Sequence, residues 1–151
     1  MNDGGHFLSS TDWEGYEKIL EAFDGRRVKI TFDQGALELV SPSRRHERIK
    51  KILAELIEFA CFEKGVDYFG GGSTTFKRKA LERGLEPDEC YYFHSLDAEE
   101  EAEALAPDLA IEVEVSRGSL DRLAIYAALG VSEIWCYSDD HKLIIHALNS
   151  G

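Results

Sequence analysis

The sequence predicts a mixed α/β domain of the α+β kind, built on one mixed sheet. Its core runs helix, three strands, helix, strand, behind an N-terminal helix and β-hairpin. Three observations predict it: a helical-period apolar stripe from Ile49 to Cys61, an apolar/polar alternation on either side of Asp33-Gln34-Gly35, and a strand–short helix–strand succession over 108–137. The 151 residues suit a single domain, and 44% hydrophobic content supplies a core.

Residues 1–10 carry no pattern and read as flexible. Thr11-Asp12-Trp13-Glu14 has capping-box spacing, and Trp13, Tyr16, Ile19, Leu20 and Phe23 recur at helical period, which predicts a helix over 12–23. Val28, Ile30 and Phe32 alternate with Arg27, Lys29 and Thr31, and Ala36–Val40 returns as the second hairpin strand. Ser41 or Ser43 caps the longest helix, which Gly65 ends in a left-handed position. Its stripe is Ile49, Ile52, Leu53, Leu56, Ile57, Ala60 and Cys61.

One or two strands follow over 67–79, bent at Gly70-Gly71-Gly72, then another over 88–93. In the strand 108–115, Leu109, Ile111, Val113 and Val115 share one face, and Asp108, Ala110, Glu112 and Glu114 the other. Ser119 caps a helix to Leu129 that Gly130 ends, and strand 132–137 is expected parallel to 108–115. A turn at Asp139-Asp140-His141 leads into an edge strand over 142–148, a surface on which two copies can pair as a homodimer.

The 29 acidic and 17 basic side chains leave a net charge of −12. The window from Glu82 to Glu114 holds 12 acids and one base, so it carries −11, and the remainder, with 17 acids and 16 bases, is close to neutral at −1. This excludes a general basic footprint for nucleic acid but not a local one. Asp97–Ala104 reads as a solvated helical turn or mobile loop. Two basic clusters stand apart from the acids: Arg44, Arg45, Arg48, Lys50 and Lys51 on the first turns of the long helix, and Lys77, Arg78 and Lys79 beyond the glycines. Cations at a helix N-terminus oppose the macrodipole, so the first cluster is either ordinary surface charge or a seat for phosphates.

Glu112 and Glu114 lie on a strand of a βαβ unit, where both faces are usually covered. There a carboxylate must be paired, hydrogen-bonded or bound to metal. With Asp88 on the neighbouring strand, they form either an oxygen-rich site for Mg²⁺ or Mn²⁺ or an acidic rim facing solvent. No dinucleotide fingerprint, P-loop, nucleophile elbow or zincin motif occurs, and no Gly-Lys-Ser/Thr follows Gly70-Gly71-Gly72-Ser73-Thr74. The three cysteines, Cys61, Cys90 and Cys136, are odd in number and widely spaced, which predicts free thiols in a reducing cytoplasm. No apolar run is long enough for a signal peptide or a membrane span.

Glu86-Pro87-Asp88-Glu89-Cys90-Tyr91-Tyr92, Pro107–Glu114 and Leu120–Trp135 resemble the Uma-type restriction endonuclease family of the PD-(D/E)xK nuclease superfamily. Gly35–Pro42 followed by His46 is similar to that family's N-terminal motif, and the resemblance runs from about Tyr16 to Leu148. It implies a restriction-endonuclease-like core and a Mg²⁺- or Mn²⁺-dependent endonuclease acting on DNA. It further implies that Asp88 and Glu112 hold metal, that Glu38 and His46 border the site, and that Asp108 supports it. The motif lysine is expected at 114, where this chain has Glu114. Many family members carry a lysine on the following helix instead, at the position of Arg122. Arginine is too basic to accept a proton, so by this reading it steadies transition-state charge. Glu114 then binds metal or orients water. The basic residues Arg44, Arg45, Arg48, Lys50, Lys51, Lys77 and Lys79 contact phosphates. The alternative is a catalytically impaired binding or regulatory protein on the same fold.

Overall fold

The computed structural model describes residues 5–93, 106–113 and 120–148. The expected features at Asp97–Glu103, Glu114, Val115 and Ser119 lie outside them. Chain order is β1 (His6–Ser10), α1 (Trp13–Ala22), β2 (Lys29–Asp33), β3 (Ala36–Val40), α2 (Arg44–Lys64), β4 (Phe69–Gly70), β5 (Phe76–Arg78), β6 (Arg83–Leu85), β7 (Glu89–Tyr92), β8 (Leu109–Val113), α3 (Arg122–Leu129), β9 (Glu133–Tyr137) and β10 (Leu143–Ala147).

The strands form two sheets, not one. The first, in the order β1-β3-β2-β6-β5, is antiparallel throughout. The second, β10-β9-β8-β7-β4, pairs β8 with β9 in parallel and its other neighbours antiparallel. The stretch expected as strands about a glycine bend is therefore divided: β4 edges the second sheet, and β5 edges the first. The bend carries the chain between layers, which local pattern does not register. Residues 6–10, without an element in the sequence reading, pair with β3 from Ser10↔Ala36 to His6↔Val40.

Alternation assigns the layers. On β2 and β3, Ile30, Phe32 and Leu37 pack with Trp13 and Tyr16 of α1. On β8, Leu109, Ile111 and Val113 meet Leu53, Ile57 and Cys61 of α2. Ala110, on its opposite face, joins Ile125, Tyr126 and Leu129 of α3 in a core that includes Phe76 of β5 and Leu85 of β6. Thus α3 is buried between the sheets, and every described residue of β8 is buried. Ile52, Leu56 and Ala60, expected in the buried stripe of α2, are exposed; Leu53, Ile57 and Cys61, flanked by Ile49 and Ala54, face the sheet.

The caps refine the boundaries. Asp12, not Thr11, caps α1, its Oδ1 accepting from Gly15 N at 2.8 Å, while the Thr11 N–H donates to Gly35 O of the hairpin at 2.9 Å. Ser43 caps α2 through His46 N. Asp121 caps α3 through Ala124 N, which makes Arg122 the first helical residue. Strand β6 was not legible, being three residues with a glycine at its centre. That glycine is required by packing: a Cβ at Gly84 would stand 2.2 Å from the Tyr16 hydroxyl and 2.8 Å from its ring. Gly84→Ala should cost about 1–3 kcal/mol in urea denaturation, as overpacked cores do. A loss under about 0.5 kcal/mol would show that Tyr16 moves freely.

Candidate active site between the two sheets

Six polar or charged residues are buried in the described structure, Thr31, Glu38, His46, Asp88, Glu112 and Arg122, and charges are buried only when paired. Asp88 precedes β7 and is pinned to β8 on two sides. Its N–H donates to Ile111 O at 3.0 Å, and its Oδ2 accepts from Val113 N at 2.7 Å. This leaves Oδ1 directed between layers, 2.8 Å from Lys29 Nζ and 2.8 Å from His46 Nε2, the latter off the line of a directed hydrogen bond. Burial alone would raise the Asp88 carboxyl, but Lys29 and His46 beside it hold it well below the usual range.

Glu112 is on the α3 side of β8, 2% exposed, which excludes a solvent-facing rim. Its Oε1 accepts from Arg122 Nε at 3.0 Å, from Arg122 Nη2 and from the Tyr126 hydroxyl. Its Oε2 accepts from Lys29 Nζ at 3.0 Å. Arg122 also donates from Nη1 to Thr31 Oγ1 and from Nη2 to the Glu86 carbonyl at 2.8 Å, so one guanidinium ties β8, β2 and the segment before Asp88 together. Burial opposes its charge, yet Glu112 raises its affinity for the proton further. Burial and the same carboxylate push the Tyr126 hydroxyl well up, so it acts as a donor.

The structure therefore brings Asp88, Glu112, Arg122 and His46 together. Glu38 is buried on β3 opposite Thr31, and its Oε2 meets His6 Nε2 at 3.0 Å. Asp108 stands at the other end of β8, where its Oδ2 accepts from Phe93 N at 2.8 Å. Glu114 lies outside the described residues. Of the basic residues, Arg44, Arg45, Arg48 and Lys51 are exposed on α2, and Lys50 pairs with Glu47 at 3.3 Å. Lys77 is 3.2 Å from Glu17 of α1, both side chains being exposed.

Lys29, Thr31 and Tyr126 are members that sequence reasoning missed. A signal was present. The hairpin register pairs Thr31 with Glu38, so Lys29 and Thr31 share the sheet face of a residue already placed at the site. A pocket of about 300 Å³, lined by Leu120, Asp121, Leu123, Cys136, Ser138 and His146, reaches Glu112, Arg122 and Tyr126 from the α3 side. Burial and nearby Glu112 push the Cys136 thiol up to about 11, so no reactive thiolate faces that pocket.

Among the described residues, no three His, Cys, Asp or Glu side chains form a metal-binding group. Two hard carboxylate oxygens, Asp88 Oδ1 and Glu112 Oε2, do converge on one cation position, that of Lys29 Nζ. The donor chemistry fits Mg²⁺ or Mn²⁺ at that position.

A mixed sheet covered on both faces by helices, with a glutamate on β8 and a Pro-Asp acid at the start of the adjacent β7, defines a restriction-endonuclease-like fold. The chain belongs to the Uma2 family, described as "putative restriction endonuclease", which it matches over residues 13–149. No match to a curated protein is found. No helix among the described residues is long and apolar enough to cross a membrane.

Proposed function

We propose that this protein is a metal-dependent endonuclease hydrolysing DNA phosphodiester bonds, with Asp88 and Glu112 as its metal-holding acids. The observation that carries this reading is the convergence of two buried carboxylates, one on β8 and one just before its neighbour β7, on one cation position within 3.0 Å. Mg²⁺ or Mn²⁺ bound there would polarise a phosphoryl oxygen and acidify water. Asp88 is aimed by the Val113 N–H. Glu112 is aimed by Arg122 and Tyr126, so Arg122 is a positioning residue for Glu112, its donors being directed to protein groups. His46 backs Asp88, Glu38 borders the site from β3, and Glu114 serves as a third carboxylate ligand or orients the attacking water. Arg44, Arg45, Arg48, Lys50, Lys51, Lys77 and Lys79 engage backbone phosphates without reading sequence.

The reading extends to a single domain acting in the cytoplasm as a homodimer through the edge of β10, where Leu143, Ile144 and Ile145 are exposed. A monomeric mass by light scattering removes the dimer alone.

Purified protein with Mg²⁺ or Mn²⁺ should cut DNA, and Glu112→Gln should not. A second reading, a binding protein on a nuclease fold, is favoured by one observation: Lys29 and Arg122 already balance the two acids. Mn²⁺-independent DNA binding without cleavage of single- or double-stranded DNA would establish it and defeat the first.

A further inference from the structure

Each acid of the pair has one oxygen held by fixed donors and one that faces Lys29, with His46 Nε2 also 2.8 Å from that oxygen of Asp88. Asp88 Oδ2 is held by the Val113 amide, and Glu112 Oε1 by Arg122 and Tyr126. The other oxygens, Asp88 Oδ1 and Glu112 Oε2, share Lys29 Nζ at 2.8 and 3.0 Å. Lys29 comes from β2 of the first sheet, whereas Glu112 is on β8 of the second and Asp88, just before β7, is bonded to β8. At 12% exposure its side chain is also more open than those of Asp88, Glu112, His46 and Arg122.

We propose that Lys29 is a built-in, displaceable counter-ion: it holds the acid pair together without metal, and a divalent ion binds by taking its place. The inference rests on the proposed function only in taking Asp88 and Glu112 as the metal-holding pair. Both cations need the same two oxygens. A magnesium ion sits about 2.0–2.1 Å from its oxygen ligands, so an ammonium cannot remain between them. Lysine can leave, being a point charge on a flexible four-carbon stem. Arg122 cannot, since its planar fork is committed to Glu112, Thr31 and the Glu86 carbonyl. The ammonium that moves aside stays tethered to β2 by its stem. Position 29 thereby supplies the lysine that position 114 lacks, from another layer of the fold.

The test is calorimetric titration of Mn²⁺ into the wild type, Lys29→Gln, Lys29→Arg and Asp88→Asn. Removing the competing charge should tighten Mn²⁺ binding to Lys29→Gln by about tenfold or more. Lys29→Arg should bind no tighter than wild type, and Asp88→Asn should lose binding. Equal affinity in wild type and Lys29→Gln overturns the inference while leaving the metal-holding pair intact. No uptake by either protein overturns both. If Lys29→Gln proves too unstable to titrate, the wild type still decides. Its Lys29 side-chain ammonium resonance, assigned by its loss in Lys29→Arg, should shift and exchange faster as Mg²⁺ saturates. An unchanged resonance at saturation overturns the inference.

Discussion

Arg122→Met is expected to lower the unfolding free energy by about 3–5 kcal/mol, the cost of removing one member of a buried ion pair. For a chain of 151 residues this is a fall in melting temperature of roughly 6–20 °C. The size follows from what one side chain joins. Without the guanidinium, Glu112 Oε1 keeps only the Tyr126 hydroxyl, and Thr31 Oγ1 and the Glu86 carbonyl lose a buried donor. Arg122→Lys should lose less, because it keeps the charge but not the fork. Adding Glu112→Leu to Arg122→Met should recover part of the loss, since a buried pair replaced by apolar groups is often tolerated. Urea denaturation of the two single variants and the double gives the coupling energy. A coupling below about 0.5 kcal/mol would mean that this pair does not hold the layers together.

Asp88→Asn should separate function from folding. Cleavage is expected to fall on the order of a hundredfold or more, comparable with losing one preorganised charge contact in an active site. The unfolding free energy should fall by no more than about 2 kcal/mol. Asparagine keeps the shape and an oxygen that accepts from the Val113 N–H, and Lys29 retains Glu112 as its partner. Only the charge is lost. The acid limb should also change. The Asp88 carboxyl is held below its ordinary value of about 3.9, so its stabilisation is full above that pH and is lost as pH falls through the lower folded value. Asp88→Asn lacks that term, so its disadvantage should shrink at low pH. Initial cleavage rates in Mg²⁺ with parallel melts measure both effects, and wild-type cleavage by Asp88→Asn would end the assignment.

These two variants fall on opposite sides of a line that the sequence shows only in part. Asp88 and Glu112 were legible because acids on covered strands need an explanation that chemistry supplies. Arg122 was legible as a position, but its role was not. The sequence reading directs it toward a transition state, whereas its donors turn to Glu112, Thr31 and Glu86. That distinction depends on where the first sheet lies over α3. Lys29 illustrates the same limit. On its own strand it is the polar alternate to Ile30, indistinguishable from a solvated residue. Asp108 shows the converse, sharing a strand face with Glu112 yet bonded at the far end to Phe93.

By itself the sequence determined the presence of α1, α2 and α3, the glycine ends of α2 and α3, the β2–β3 hairpin and the parallel β8–β9 pair. Each of these rests on periodicity, capping or turn chemistry within a few residues of chain. Only the tertiary structure decided that there are two sheets, that α3 is buried between them, and that Lys29 meets Glu112 from 83 residues away. The physical reason is that an ion pair between layers depends on how the sheets stack. Stacking is set by the summed burial of both faces of every element, which no local repeat encodes.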